Sequence, residues 1–245
     1  MKTAFVIIPA RFGATRFPGK PLALLAGKPL ICHVAERARR ARGVARVAVA
    51  TDDERIVVAV RASGAEAVMT GEAASGTDRV AEAARKMGRA DVVVNLQGDE
   101  PLIEPAAIEA LLVAMEDDRV EMATLSRPLE EGELSRPHVV KVVTQANGYA
   151  LYFSRAAIPH RRDGGPSPLA RAHVGMYAFR ADFLQTFTRL PPGLLEREEA
   201  LEQLRALEHG HRIKVVATGY RGFGVDTPED LERAHALLAG RDQGA

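Results

Sequence analysis

Cysteine is all but missing from this chain. The single one, Cys32, cannot close an internal disulfide, and its place among apolar helical positions marks it as a core residue of a protein kept in a reducing compartment. An excess of charge of either sign is missing as well. Against 33 Lys and Arg stand 32 Asp and Glu, and a net charge of +1 gives no overall field to draw the chain to nucleic acid. No uninterrupted apolar run approaches the roughly 20 residues of a membrane-spanning helix. The amino terminus, with one lysine and a short apolar stretch before Pro9, lacks the form of a secretory signal. Repeats and low-complexity tracts are absent too. These absences lead to the expectation of a soluble, cytoplasmic protein with neither nucleic acid nor a membrane as partner. One basic cluster, Arg37, Arg39, Arg40, Arg42 and Arg46, lies on and just after a single predicted helix without interleaved aromatics, and reads as a solvated face.

What is present is an ordinary globular composition, 47% hydrophobic and 27% charged over 245 residues, enough for one large α/β domain. Apolar runs and amphipathic stretches alternate: Ala4–Ile8, a helix over about 29–42, Arg46–Thr51, a helix over 53–63, Glu66–Met69, a helix over 77–88, Asp91–Leu96, a helix over 105–117 and Met122–Leu125. Buried runs such as Val92-Val93-Val94 separated by helices predict a parallel sheet with right-handed crossovers. After Pro128 the texture changes. Val139–Thr144, Tyr149–Phe153 and Ala172–Phe179 are strand-like, Asn147-Gly148 signals a hairpin, and 161–168 reads as a loop. Helices over 197–209 and 228–238 flank a strand at Lys214–Ala217. The expectation is a single domain over 1–240. Its core takes in about 1–127 and 210–240, a β-rich insertion takes in about 128–209, and a frayed tail follows from 241.

Three segments carry chemistry. The first strand empties into Pro9–Leu22, where Arg11, Arg16 and Lys20 join two glycines and three prolines. Cations and backbone N–H groups at a strand's carboxyl end suit a polyanion such as a triphosphate; the alternative is a surface loop with solvated arginines. The loop is not a P-loop, because five residues separate Gly13 from Gly19, and Lys20 is followed by Pro21, which offers Mg²⁺ no hydroxyl. Nor does it match the dinucleotide fingerprint G-x-G-x-x-G. In the second segment, the strand at 91–96 ends in Gln97-Gly98-Asp99, and Asp99 is either a carboxylate for Mg²⁺ or an ordinary turn residue. The third, Gly224–Leu231, starts a helix with Thr227 as N-cap, Pro228 at N1 and Asp230 at N3, which leaves Asp226 over as a metal ligand or a spare turn residue.

Three weaker candidates remain open. Ser75-Gly76-Thr77-Asp78-Arg79 fits either a base or phosphate contact or a capped helix with a surface arginine. His173, with Gly175 and Tyr177, alternates along a strand like a half-buried histidine. Glu202-Gln203 falls on the predicted last-but-one helix, where charge usually means a wet face. No Cys/His cluster has metal-site spacing and no Ser/His/Asp arrangement is legible.

In order and at similar spacing, IIPARFGATRFPGKPL, VATDD, SGTDR, VNLQGDEPLI, VKVV, GYALYFSRAAIP, HVGMYAFR, LEQLRALEHG and GVDTPEDLERA resemble the 3-deoxy-D-manno-octulosonate (Kdo) cytidylyltransferases, or CMP-Kdo synthetases. NLQGDEP, LYFSRAAIP and LEQLR are the specific part, since the first loop is shared more widely among sugar nucleotidyltransferases. The resemblance implies a Rossmann-like nucleotidyltransferase fold, with a mostly parallel central sheet and helices on both faces. It also implies Mg²⁺-assisted transfer of CMP from CTP to the anomeric hydroxyl of Kdo, a step toward lipopolysaccharide, by a homodimer. Carried over by position, Arg11, Arg16 and Lys20 would hold the triphosphate. Pro9 and Ala10 with Ser75, Gly76, Thr77 and Arg79 would frame the cytidine, and Asp99 and Asp226 would bind Mg²⁺. Gln97, which would also meet the nucleotide, joins Arg155, His173, Tyr177, Glu202 and Gln203 around the sugar. Two departures stand out, Ala14 where the family usually has serine and a short segment between Pro159 and His173. Rival readings are a cytidylyltransferase for another acidic sugar, such as a sialic acid or amino-Kdo, and a CTP-binding protein without turnover.

Overall fold

A computed structural model describes residues 2–13, 17–165 and 167–242. The chain divides into two compact units, Met1–Glu109 with Gly222–Ala245, and Ala110–Arg221.

In the first unit β1 (Ala4–Pro9) is apolar on both faces, and Val6, Ile7 and Ile8 are wholly buried. It pairs in parallel with β4 (Val44–Thr51) on one side and β6 (Val92–Asn95) on the other, while β5 (Glu66–Met69) extends β4. All four strands run the same way, so each connection must cross over, and helices supply the crossings. A short hairpin, β2 (Leu24–Leu25) with β3 (Lys28–Pro29), precedes α1 (Leu30–Ala38). Leu30, Ile31, Val34, Ala35 and Ala38 form the buried stripe of α1, and Cys32 joins it as a core residue. The helix stops short of the expected 42. Beyond Ala38 the bonds tighten to i→i−3, Arg40 N to Arg37 O and Ala41 N to Ala38 O. α2 (Glu54–Ala62) is capped by Asp53, whose side chain accepts from Arg55 N. α3 (Gly76–Met87) opens on a capping box of Ser75 and Asp78. After β6 comes α4 (Pro105–Ala114).

In the second unit β7 (Met122–Pro128) pairs antiparallel with β10 (Arg171–Arg180) and parallel with β11 (Ile213–Ala217). β8 (Lys141–Thr144) and β9 (Ala150–Ser154) form the predicted hairpin, and β8 also pairs with β10. Gly148 turns the hairpin at φ +79, with its N–H on Gln145 O. α5 (Ala181–Phe187) follows β10.

The single helix expected over 197–209 is two, α6 (Leu194–Glu199) and α7 (Leu204–Glu208), broken at Ala200 with φ +50. The break turns Leu201 and Gln203 into the interior, 7% and 3% exposed, where a continuous charged helix could not place both. α8 (Pro228–Asp242) returns to the first unit and runs through 242, so a tail frayed from 241 does not hold at Arg241 and Asp242; residues 243–245 lie outside the described ones. No helix among the described residues is long and apolar enough to cross a membrane.

Candidate active site

The carboxyl ends of β1 and β6 meet the amino end of α3 at one open cavity of about 270 Å³. It is lined by Pro9, Ala10, Arg11, Gly13, Lys20, Pro21, Gly76, Gln97, Gly98 and Asp99. Glycine makes that meeting possible. A Cβ on Gly98 would stand 2.9 Å from Pro9 O and 3.1 Å from Ile31 Cδ1, and one on Gly76 would stand 3.4 Å from Pro9 Cγ. A backbone oxygen in a parallel sheet cannot retreat. Gly98→Ala is therefore expected to cost about 1–3 kcal/mol, read by melting temperature; an alanine variant with an unchanged value would contradict the close approach.

The cationic loop is organised around Phe12. Gly19 N donates to Phe12 O at 2.9 Å, Gly19 takes φ +72, and the Arg55 guanidinium lies 3.3 Å from the centroid of the Phe12 ring. This closure delivers Lys20 into a 3-10 turn, Lys20–Leu22. Arg11 donates to Ala73 O at 2.6 Å. Arg16 and Ala14 lie outside the described residues.

Lys20 Nζ donates to Asp99 Oδ2 at 2.9 Å and to Asp226 Oδ1 at 3.1 Å, so residues 79 and 206 positions away converge on one ammonium. Burial works against that charge, but Asp99 and then Asp226 outweigh it, and the pKa of Lys20 is raised. The two acidic segments are clamped to each other by one backbone bond, Val225 N to Asp99 O, and by Phe223 N donating to the Glu100 side chain at Oε2. The cap of α8 forms as predicted, with Asp230 N on Thr227 Oγ1 and Thr227 N on Asp230 Oδ2. Asp226 is not spare, because its carboxylate is on Lys20. Among the described residues no three His, Cys, Asp or Glu converge as a closed metal cage. Two part-exposed carboxylates, one of them lining the cavity, do suit Mg²⁺, which keeps waters and takes phosphate oxygens.

Of Ser75–Arg79 only Gly76 lines the cavity. Ser75 caps α3, and Thr77 is buried and accepts from Asn95 Nδ2 at 3.2 Å. The capped helix holds but the surface arginine does not, since Arg79 is 1% exposed. Its guanidinium donates to Asp52 Oδ2 and Thr70 Oγ1, both at 2.6 Å, and so ties the ends of β4 and β5 to α3. A direct nucleotide contact by Arg79 is thus replaced by a bracing role. Asp52, in the VATDD stretch, is the partner that sequence reasoning missed; a carboxylate at a strand end was the available signal.

In the second unit a row of rings runs along β9 and β10. Phe153, His173, Tyr177 and Phe179 have successive centroid separations of 5.0, 5.5 and 6.1 Å. The register of β10 against β7 slips between Val174 and Tyr177, and Thr124 fills the slip. Its Oγ1 donates its one proton to Met176 O at 2.8 Å and lies 2.9 Å from His173 Nε2. Thr124, a buried hydroxyl in an apolar strand, is a second residue the sequence reading passed over.

Burial pushes the pKa of His173 down to about 3. The unfolded chain, near the ordinary value of about 6.5, therefore takes up its proton first. Stability present above pH 6.5 is lost as pH falls toward 3, and His173→Gln is expected to flatten that limb in urea titrations across pH. Identical pH dependence in the variant would exclude a half-buried His173 held neutral in the fold. The Tyr177 hydroxyl is pushed up, by burial and then by Glu202, and keeps its proton.

Arg155 is committed to backbone. Its guanidinium donates to Glu199 O at 2.7 Å, Ala200 O at 3.3 Å and Pro137 O at 3.2 Å, which braces the break between α6 and α7. Glu202 lies 3.9 Å from Arg205. Gln203, expected on a wet face, is buried, and its Nε2 has no hydrogen-bond partner among the described residues.

The sequence profile of the cytidylyltransferase family matches residues 5–213. A 3-deoxy-manno-octulosonate cytidylyltransferase of Anaeromyxobacter dehalogenans (strain 2CP-C) is 74% identical over 240 residues, covering 98% of this chain and 99% of the relative. The protein of that name from Syntrophobacter fumaroxidans is 54% identical, with 98% of each chain covered. Among solved structures, CMP:2-keto-3-deoxy-manno-octonic acid synthetase complexed with CTP superposes with a TM-score of 0.93 at 45% identity, over 98% of this chain and 99% of that one. The similarity spans nearly the whole length of the chain, which belongs to the 3-deoxy-manno-octulosonate cytidylyltransferase family.

Proposed function

We propose that the chain transfers the cytidylyl group of CTP to the anomeric hydroxyl of Kdo and releases pyrophosphate, with the cavity of the first unit as the nucleotide site. The observation that carries this reading is the convergence of Lys20 with Asp99 and Asp226 at the mouth of the β1 and β6 loops. Arg11 and Lys20, with Arg16 from the same loop, neutralise the triphosphate and hold it in line. Pro9, Ala10 and Gly76 present backbone close to the nucleoside, a surface on which larger side chains would intrude. Asp99 and Asp226 would hold Mg²⁺, which supplies positive charge at the phosphates as negative charge develops on the leaving group. The hydroxyl oxygen forms a bond to the α-phosphorus, the bond from that phosphorus to the β-phosphate oxygen breaks, and the hydroxyl proton is released.

For the sugar, the second unit offers neutral His173, protonated Tyr177, Glu202 and the buried amide of Gln203. Hydroxyl-rich ligands are fixed by such polar donors and acceptors. Arg155 acts by holding the α6–α7 turn that carries Glu202 and Gln203. We further propose a cytoplasmic homodimer that supplies CMP-Kdo to lipopolysaccharide synthesis, associating through the β-rich second unit, whose sheet edges would otherwise lack partners.

The test is pyrophosphate release from CTP with a panel of acidic sugars, Kdo, its amino analogue and a sialic acid, with and without Mg²⁺. Release is expected with Kdo and only with the metal. Activity confined to another sugar would overturn the substrate, and CTP binding without release with any sugar would overturn the reaction.

A further inference from the structure

The two carboxylates proposed to hold Mg²⁺ already share a cation. The ammonium of Lys20 bonds to one oxygen of each, and its side chain is only 15% exposed. A divalent cation bound to those same oxygens would stand about 2.0–2.1 Å from each, in the space that the ammonium fills. Two cations a few ångströms apart in a half-buried pocket repel strongly. The backbone of Lys20 is pinned, with Gly19 N on Phe12 O at 2.9 Å and Leu22 N on Gly19 O at 2.8 Å, so only the four-carbon side chain is able to move. Arg11 and Gly13 line the same cavity, so a triphosphate seated there would offer Lys20 a second set of oxygens within its reach.

We infer that Lys20 and the divalent cation are alternative occupants of the Asp99–Asp226 pair, and that the triphosphate is what draws the lysine off. Lys20 then serves twice. Before substrate arrives it neutralises two carboxylates that would otherwise repel each other, and afterwards it neutralises phosphate. A free ammonium would gain nothing by leaving both acids, so the free protein binds divalent metal weakly. By linkage, metal and CTP each strengthen the other's binding. The inference rests on Asp99 and Asp226 being the metal ligands.

The test reads metal binding without turnover, using Mn²⁺ as the probe in electron paramagnetic resonance titrations of the full-length chain. Lys20→Met and Lys20→Gln, each checked for an unchanged melting temperature, are expected to bind Mn²⁺ in the absence of CTP about tenfold or more tightly than the unmodified protein. Arg11→Met removes a charge from the same cavity without touching either carboxylate, and is expected to change Mn²⁺ affinity little. Equal tightening in Arg11→Met and Lys20→Met would reduce the effect to general charge and overturn the exchange. So would unchanged affinity in both Lys20 variants. If Asp99→Asn and Asp226→Asn, placed in the Lys20→Met background, bind Mn²⁺ undiminished, the metal-ligand reading itself fails. Should neither lysine variant fold, the side-chain ammonium NMR signal of Lys20 decides in the unmodified protein. It is expected to shift when Mg²⁺ and CTP are added together and to stay put with Mg²⁺ alone; the reverse pattern would overturn the exchange.

Discussion

Asp99→Asn and Asp226→Asn are each expected to lower Mg²⁺-dependent pyrophosphate release by about 10²–10³-fold or more, the scale on which one electrostatic contact to a developing charge is felt. Their folds should persist. Both side chains are part-exposed, 28% and 41%, and each gives up its ion pair with Lys20 in a setting where water can replace it. The backbone clamp between the two segments, Val225 N on Asp99 O, does not depend on either side chain. Melting temperature and circular dichroism should therefore stay close to those of the unmodified chain while turnover collapses. Substantial Mg²⁺-dependent release by both variants would remove the two carboxylates from the chemistry.

The largest effect on stability is expected at the Arg79 brace, with an asymmetry that identifies its nature. Asp52→Ala leaves the guanidinium of Arg79, 1% exposed, without its counter-charge inside the fold, whereas Arg79→Met leaves an apolar side chain and an aspartate that can turn to water. Stranding a buried charge costs about 3–5 kcal/mol, more than removing both charge and need together. In a chain of this size that is a fall in Tm of roughly 10 °C, with a smaller fall for Arg79→Met. Equal Tm in all three proteins, with CTP affinity lost only in Arg79→Met, would return Arg79 to the nucleotide and sink the bracing role.

Both predictions concern residues singled out by motif, and the two outcomes differ for a physical reason. A carboxylate after an apolar strand is exposed by the turn that ends the strand, so Asp99 could be picked out locally. The direction of Arg79 could not. It sits on the buried stripe of an amphipathic helix, and whether such an arginine reaches solvent or an acid of another segment depends on what lies beside it, here Asp52 and Thr70 from two other strand ends.

Local order in this chain was written locally. The apolar run of β1, the Asn147-Gly148 hairpin, the capping boxes before α3 and α8 and the alternation of strand and helix all rest on interactions spanning a few residues, which the sequence displays directly. So did the mismatch with a P-loop, since Pro21 after Lys20 already denies the loop a hydroxyl for metal. What the tertiary structure alone decided is placement across the chain. It brought Asp99 and Asp226 onto Lys20, buried Arg79, broke the expected helix at Ala200 to bury Gln203, and carried β7 and β11 into the second unit. Each of these is a choice among partners far apart in sequence, fixed by which parallel strands lie side by side and by the requirement that every buried charge find its opposite.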